Sequence, residues 1–319
     1  ERRDALEISL GRMRLKNPVM LASGTCGYGR ELRDWFDLSS LGAIVVKGTT
    51  LAPRAGNPPP RLVETAAGLL NSVGLQNPGI QHFIELELPE LVEAGATVVV
   101  NVAGDTEEEY VEITRRLASL PAGTVAGVEL NVSCPNVEKG GLQFGTQPQD
   151  VFDLTRRVVA VAAHLEVWVK LSPNAPDIVA VARAAEAGGA SAVSLVNTFR
   201  GLAIDLDARR PVFARTFGGL SGPAIKPLAL RMVWEVTRRV GIPVIGVGGI
   251  LTAEDALEFL LCGARAVQIG TAQFRDPEAS VRVIEGIEAW LSARGIRKIG
   301  EWIGSLRVKG EQLYPQADA

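Results

Sequence analysis

The sequence has few cysteines, few histidines and no long apolar run. Its three cysteines, Cys26, Cys134 and Cys262, lie far apart and form no Cys-x-x-Cys pair. This spacing disfavours a disulfide framework, and it disfavours a zinc or iron–sulfur site built by this chain alone. No apolar stretch approaches the roughly 18 residues that a membrane-spanning helix needs, and the charged first residues show no targeting pattern. We therefore expect a cytoplasmic protein with no metal site and no membrane segment.

An excess of charge of one sign is also missing. The formal net charge is −3, which gives no overall basic field for nucleic acid or for an anionic membrane surface. A hydrophobic content of 47% with 22% charged residues excludes a disordered chain and indicates a sizeable core. We therefore expect a globular protein that acts on a small molecule.

Eight short runs rich in β-branched residues recur along the chain, with helical patterns between them. The runs are almost continuously apolar, as expected for parallel strands covered on both faces. Eight βα units predict a (β/α)8 TIM barrel, a single domain over residues 1–319, although an open doubly wound sheet shares the same alternation. The predicted strands are 18–23, 43–50, 96–103, 127–133, 167–172, 192–197, 243–249 and 266–271, and the predicted helices include 106–118, 148–163, 176–188, 224–240, 252–261 and 276–293.

Small or polar residues lie at or near the carboxyl ends of these strands. In a barrel they converge on one rim, where barrel enzymes place their chemistry, whereas an open sheet spreads them along an edge. Three long connections, 51–95, 134–147 and 199–223, are rich in Gly, Pro or Asn and are expected to form lids and walls over that rim. The strand-end residues are Ser23, Lys47, Asn101, Asn131, Lys170, Asn197, Gly249 and Thr271.

Two glycine-containing loops follow the seventh and eighth predicted strands. They read GVGGI at 246–250 and QIGTA at 268–272. Glycine lets backbone N–H groups approach a phosphate closely, and barrels often hold a phosphate between these two loops. Tight turns without a ligand are the alternative. The pattern favours a phosphorylated cofactor or substrate.

Two lysines and six asparagines are placed unusually. Lys47 and Lys170 lie in or at the ends of apolar strands, where a buried charge is costly without an anion nearby. That anion is a ligand or, alternatively, a core carboxylate such as Glu129. Carboxamides offer both a donor and an acceptor and therefore suit a planar heterocycle. The asparagines are Asn71, Asn77, Asn101, Asn131, Asn136 and Asn197.

Cys134 follows the fourth predicted strand in NVSCPNVEKGG. A thiol at a barrel rim can act as a nucleophile or a general base, since its ordinary pKa is about 8.5. An inert thiol is the alternative, and it is our interpretation of Cys26 and Cys262. His82 and His164 are the two histidines, and neither falls in a rim motif.

These motifs and their surroundings resemble the dihydroorotate dehydrogenases, specifically the catalytic subunit of the NAD-linked class 1B branch. The matching blocks are LKNPVMLASGTCGYG (15–29), VVKGTTLAPRAGNPPPR (45–61), LLNSVGLQNPG (69–79), ELNVSCPN (129–136), VKLSPN (169–174), GGLSGPAIKPLAL (218–230), IPVIGVGGI (242–250) and IGTA (269–272). The resemblance implies that FMN contacts Ser23, Lys47, Gly48, Asn101, Asn131, Lys170, Val196, Gly222, Gly248, Gly249, Gly270 and Thr271. It implies that the pyrimidine is surrounded by Lys47, Asn71, Ser72, Val73, Gly74, Leu75, Asn131, Asn197 and Thr198.

The resemblance also implies a reaction. Cys134 would remove the C5 proton of dihydroorotate while the C6 hydride passes to flavin N5, and Lys170 would stabilise the reduced flavin electrostatically. The electrons would reach NAD+ through FAD and a [2Fe–2S] cluster on a partner subunit, with the barrels paired as a homodimer within a heterotetramer. This chain has too few cysteines for the cluster and no Gly-x-Gly-x-x-Gly after a strand for the dinucleotide.

Three alternatives stay open from the sequence. The fumarate-linked branch of the same family also uses cysteine as its base, whereas the quinone-linked branch is similar but uses serine. A tRNA dihydrouridine synthase shares the barrel and the flavin, but it is expected to carry a basic RNA-binding extension. A phosphosugar-binding barrel without catalysis would need neither Cys134 nor Lys170.

Overall fold

The computed structural model of the chain describes residues 4–132 and 145–308. Its centre is a closed barrel of eight parallel strands, which confirms the (β/α)8 prediction and excludes the open sheet. The barrel closes because the first strand pairs with the eighth, Val19 opposite Val267. The strands are Val19–Leu21, Ala43–Thr49, Val98–Val102, Gly127–Asn131, Glu166–Lys170, Ala192–Leu195, Val244–Val247 and Ala266–Ile269.

Helices surround the barrel at the positions that the sequence predicts, with ends shifted by a few residues. Each turns an apolar face to the strands, and three begin at a side chain that accepts a hydrogen bond from the first turn: Thr106, Asp177 and Thr252. In the described parts of the chain, no helix is long and apolar enough to cross a membrane. The helices are Glu107–Ala118, Pro148–Val159, Ile178–Ala187, Lys226–Thr237, Ala253–Leu261 and Ala279–Ala293.

The first βα unit departs from the regular pattern. Two short 3₁₀ turns, Arg30–Leu32 and Leu38–Ser40, follow the first strand in place of an α-helix. The second unit has a helix that the sequence pattern did not predict, within the connection 51–95. It runs through Ile80–His82, a π-helical turn at Phe83–Glu87, and Leu88–Glu93. Pro89 and the π-helical turn interrupt the regular spacing of apolar residues, and the sequence pattern therefore did not indicate a helix here.

A four-stranded antiparallel sheet lies over the carboxyl rim of the barrel. Its strands come from two of the connections expected to form walls, and we call it the rim sheet. The middle pair joins segments that are far apart in sequence, with Gly219 opposite Asn71. In spatial order the strands are Phe199–Leu202, Phe217–Ser221, Gly68–Asn71 and Leu62–Thr65.

The opposite end of the barrel is closed by a hairpin of Ile8–Leu10 and Met13–Leu15. Arg12, at its turn, donates from its backbone N–H and from Nε to Oε1 of Glu166, at 3.0 and 2.9 Å. Glu166 begins the fifth barrel strand, so this hairpin covers the amino end. The carboxyl end is therefore the accessible one.

Candidate active site

A cavity of about 250 Å³ opens at the carboxyl rim, between the strand ends and the rim sheet. By the same kind of measure a water molecule needs about 10–15 Å³, so the cavity is of ligand size. We call it the rim cavity. All of the residues predicted to contact a flavin line it: Ser23, Lys47, Gly48, Asn101, Asn131, Lys170, Val196, Gly222, Gly248, Gly249, Gly270 and Thr271.

The residues predicted to surround the pyrimidine line the same cavity, with one exception. Those that do are Lys47, Asn71, Val73, Gly74, Leu75, Asn131, Asn197 and Thr198. Ser72 does not line the cavity. It is buried, and its Oγ accepts a hydrogen bond from Asn57 Nδ2 at 3.1 Å. Ser72 therefore supports the loop from behind.

The loops after the seventh and eighth strands present backbone donors to the rim cavity. Gly248 and Gly249 have φ of 130° and 74°, a region that side chains rarely adopt. Within residues 4–132 and 145–308, the N–H groups of Gly248, Gly249 and Thr271 have no acceptor. A Cβ on Gly249 would lie 2.8 Å from Cβ of Lys226, at the start of helix Lys226–Thr237. Unpaired N–H groups beside a helix N-terminus suit a phosphate.

Lys170 is buried at the end of the fifth strand. Its Nζ donates to Ser23 Oγ at 3.2 Å and lies 3.8 Å from Oε1 of Glu129. The ion pair with a core carboxylate, which the sequence left open, is therefore present for this lysine. Lys170 also lines the rim cavity, so it can face a ligand as well.

Lys47 has a different environment at the end of the second strand. Its Nζ has no hydrogen bond or ion pair with any other residue that the structure describes, and burial lowers the pKa of Lys47 below its ordinary value. A partly dehydrated ammonium group that lines a cavity favours a ligand anion. This group can pair with a carboxylate or a reduced heterocycle.

The asparagines divide into two groups. Asn197 Nδ2 donates to Oδ1 of Asn131 at 3.3 Å, and Asn131 Nδ2 donates to Oδ1 of Asn101 at 3.4 Å. This chain of amides crosses three strand ends and lines the rim cavity together with Asn71. Asn77, in contrast, does not line it.

Asn77 has a structural role. It is buried, accepts hydrogen bonds from Thr50 and Gly79, and donates to the Leu75 carbonyl. Asn136 lies outside the described residues. Four of the six asparagines therefore line one cavity, and their contact with a ligand stays a prediction.

The cysteines agree with the sequence as far as the structure describes them. Cys26 is buried, and burial raises the pKa of its thiol to about 12, which makes it inert. Burial also raises the pKa of Cys262, which follows helix Ala253–Leu261. Cys134, the predicted base, lies outside the described residues.

Several residues of the rim cavity were not expected from the sequence. Thr25, Ser221, Gln268 and Phe274 all line it. Gln268 is a polar residue inside the apolar eighth strand, the same signal that identified Lys170 in the fifth. Its buried Oε1 has no hydrogen-bond partner among the residues described. Ser221 ends a rim-sheet strand and Phe274 ends a short 3₁₀ turn, and neither position carries such a signal.

The fold and the rim cavity define a class of protein, a (β/α)8 barrel with a cavity of ligand size at the carboxyl rim, lined by lysine and asparagine side chains among others. The family model for dihydroorotate dehydrogenase matches residues 5–291, and the chain belongs to this family. A relative from Thermoanaerobacter pseudethanolicus is 55% identical over 303 residues, which cover 95% of this chain and 99% of the relative. Relatives from Trichlorobacter lovleyi and Geobacter sulfurreducens are each 52% identical, with 95% of this chain and 98% of each relative covered. All three are named dihydroorotate dehydrogenase B (NAD(+)), catalytic subunit.

Proposed function

We propose that this chain is the catalytic subunit of an NAD+-linked dihydroorotate dehydrogenase, a flavoprotein that oxidises (S)-dihydroorotate to orotate in pyrimidine biosynthesis. One observation carries the proposal: two residue sets, expected for a flavin and for a pyrimidine, meet in the rim cavity of a chain from this family. The relatives named above supply the NAD+ linkage.

The residues of the rim cavity fit FMN in three respects. The N–H groups of Gly248, Gly249 and Thr271, which have no acceptor within residues 4–132 and 145–308, suit its phosphate. Lys170 suits the N1–C2=O edge, where negative charge collects on reduction. Asn101 and the unpaired Oε1 of Gln268 offer polar groups to the ring, which alternates acceptors and N–H donors. We propose one FMN in each chain, with the cofactor residues given above.

Dihydroorotate has a carboxylate and a ring of alternating carbonyl and N–H groups. Lys47 would pair with its negative charge, because this partly buried ammonium group lines the cavity and forms no ion pair within 4 Å with any described residue, although the carboxylate of Glu31 acts on it from farther away. Asn71, Asn131 and Asn197 would bind the carbonyl and N–H groups, since each amide can both donate and accept. The backbone of Val73, Gly74 and Leu75 would close one side of the pocket, beside Thr198.

The chemistry that FMN would supply is acceptance of a hydride at its N5. The chain would supply the base, Cys134, which takes the C5 proton as the C6 hydride leaves and the C5=C6 double bond forms. Lys170 would stabilise the negative charge that collects at the N1–C2=O edge of the flavin on reduction. The asparagine chain would hold the ring so that donor and acceptor atoms stay in line.

A second subunit follows from the same proposal. The relatives are named catalytic subunits, which supports a partner subunit. We propose that this partner carries FAD and a [2Fe–2S] cluster and passes the electrons to NAD+. We propose a homodimer of this barrel, formed by residues 1–319 as one cytoplasmic domain, within a heterotetramer that binds neither nucleic acid nor membrane. Three cysteines do not suffice for a cluster and a base.

The test uses the purified chain, alone and mixed with a candidate electron-transfer subunit. We expect the chain alone to bind FMN, to bleach its flavin with dihydroorotate and to reduce an artificial dye. NAD+ reduction should require the partner, and fumarate and quinone should be poor acceptors. Rapid fumarate turnover by the chain alone would move it to the fumarate-linked branch, and failure to bind FMN would refute the proposal.

A further inference from the structure

Glu129 is a buried carboxylate in the fourth barrel strand, and its side chain is fully shielded from solvent. It accepts hydrogen bonds from Asn101 Nδ2 at 2.8 Å, Ser194 Oγ at 2.8 Å and Gln268 Nε2 at 2.6 Å. Lys170 Nζ, 3.8 Å away, is the one cation within ion-pair distance in the part of the chain that the structure describes. Four strands of the barrel thus contribute a group to one carboxylate.

A buried carboxylate with these partners is not explained by a gain in folding stability alone. Barrel interiors are mostly filled by branched apolar side chains, and replacing a buried ion pair by apolar residues is often neutral or stabilising. Three of the groups around Glu129, on Asn101, Gln268 and Lys170, line the rim cavity, while Glu129 itself does not. Glu129 therefore lies directly behind the residues that face the ligand.

The carboxylate constrains those residues in two ways. Because it can only accept, the amides of Asn101 and Gln268 must turn their NH₂ groups toward it and their oxygens away. Oδ1 of Asn101 then accepts from Asn131, and Oε1 of Gln268 is left without a partner among the described residues. In addition, the negative charge opposes part of the positive field that Lys170 projects into the rim cavity.

We propose that Glu129 is a positioning residue that sets the reduction potential of the bound flavin, by partly neutralising Lys170 behind the rim cavity. This inference rests on the proposed function, because it needs a flavin in that cavity. The reduced flavin carries more negative charge than the oxidised form, so an unopposed Lys170 stabilises it more strongly. Glu129 thereby limits how easily the flavin is reduced and keeps it able to pass its electrons on.

The test is a reductive titration of the FMN-loaded protein against a reference dye. For Glu129→Gln, which keeps the shape and removes the charge, we expect the ratio of reduced to oxidised flavin at a fixed ambient potential to rise at least tenfold. That ratio corresponds to about 30 mV for a two-electron couple. Glu129→Asp, which keeps the charge, should shift the ratio less than threefold. The matched control is Ser194→Ala, which removes one hydrogen bond without changing the charge, and it should also shift the ratio less than threefold.

A second pair of variants covers the case in which Glu129→Gln does not fold because Lys170 is left unpaired. Lys170→Met should lower the ratio of reduced to oxidised flavin. Lys170→Met/Glu129→Gln, which has neither charge, should have a ratio at least threefold higher than that of Lys170→Met. An unchanged ratio in Glu129→Gln, or no recovery in the double variant, would overturn the inference. So would equal shifts in Glu129→Gln and Ser194→Ala, because they would indicate packing and not charge. Wild-type protein that binds no FMN would refute the proposed function instead.

Discussion

Thr271 donates a hydrogen bond from Oγ1 to Oγ of Ser221 at 2.7 Å. This contact joins the turn after the eighth barrel strand to the last residue of a rim-sheet strand. Both residues line the rim cavity, and the backbone N–H of Thr271 is one of the groups proposed for the phosphate. The turn that we propose binds the phosphate is thus hydrogen-bonded to the rim sheet.

Thr271→Val should therefore weaken FMN binding by about threefold to tenfold, because a hydrogen bond of this kind contributes about 1 kcal/mol. The measurement is FMN dissociation, followed by the rise in free flavin fluorescence. Thr271→Ser keeps the hydroxyl and should bind FMN within twofold of the wild type. Equal loss in both variants would indicate that the methyl group, and not the hydrogen bond, holds the loop.

Gly249→Ala tests the same loop through its backbone. The new Cβ would lie 2.8 Å from Lys226 Cβ and 2.9 Å from the Gly222 carbonyl, at a φ of 74°. We expect at least a tenfold loss of FMN affinity and a loss of about 1–3 kcal/mol in the free energy of unfolding. Gly123→Ala is the control, because φ there is also positive, at 92°, but the new Cβ meets nothing within 4 Å.

The control should lose stability alone. Gly123→Ala is expected to cost about 1–2 kcal/mol of unfolding free energy and to leave FMN affinity unchanged. Both quantities come from urea unfolding and flavin titration of the same preparations. If Gly249→Ala bound FMN as tightly as the wild type, the loop would not be the phosphate site.

Lys47 gives a prediction about pH. Burial lowers the pKa of Lys47 below its ordinary value, and only the protonated form can pair with the carboxylate of orotate. As pH rises through this lowered pKa the amine loses its proton, so the Kd of orotate should rise at a lower pH than an exposed lysine would allow. Lys47→Met should raise the Kd at neutral pH by about tenfold or more.

Lys47→Arg is the control, since a guanidinium group stays charged throughout. With this variant, the alkaline rise in the Kd of orotate should disappear, even if the affinity at neutral pH is lower. Orotate binding is measured from the change in the flavin spectrum. The same alkaline rise in Lys47→Arg would assign the pH dependence to another group.

Cys134→Ser tests the proposed base. FMN and orotate binding should be retained, while reduction of the flavin by dihydroorotate at neutral pH should be slowed, because a hydroxyl is a far weaker base than a thiol with an ordinary pKa of about 8.5. The defect should shrink as pH rises. Stopped-flow bleaching of the flavin measures the rate, and a wild-type rate across neutral pH would mean that Cys134 is not the base.

The pattern of apolar runs predicted the barrel and the polar residues at its strand ends for a simple physical reason, whereas the other predicted cavity residues were implied by the resemblance to a known family. Buried parallel strands are continuous apolar runs, so a polar residue at a strand end, such as Lys170 or Asn131, is easily recognised in the sequence. Because the carboxyl ends of all eight strands meet at one rim of a barrel, such residues are expected to lie near one another. In the loops beyond the strands there is no apolar run against which a polar residue can be recognised. Ser72 and Asn77 lie in the loop that follows Asn71, the last residue of a rim-sheet strand, and no periodicity indicates which of the three faces inward.

The rim sheet could not be predicted for a related reason. Its strand Phe217–Ser221 contains two glycines, and its partner Gly68–Asn71 lies far away in sequence. Intrinsic strand preference is low at glycine, and pairing between distant segments leaves no local pattern. Glu129 was visible as a possible partner of Lys170, but its hydrogen bonds to three other strands required the closed barrel.

The pairing within the rim sheet has a consequence for the order in which the chain can mature during synthesis. Residues 62–71 leave the ribosome long before Phe217–Ser221, so the hairpin that carries Asn71 has an unpaired edge for the time needed to translate the intervening chain. At about 5–20 residues per second this takes roughly 7–30 s. Until then the rim sheet is incomplete, and the loop residues Gly248, Gly249 and Thr271 of the rim cavity are made later still, so loading of the proposed FMN must follow translation of the eighth strand.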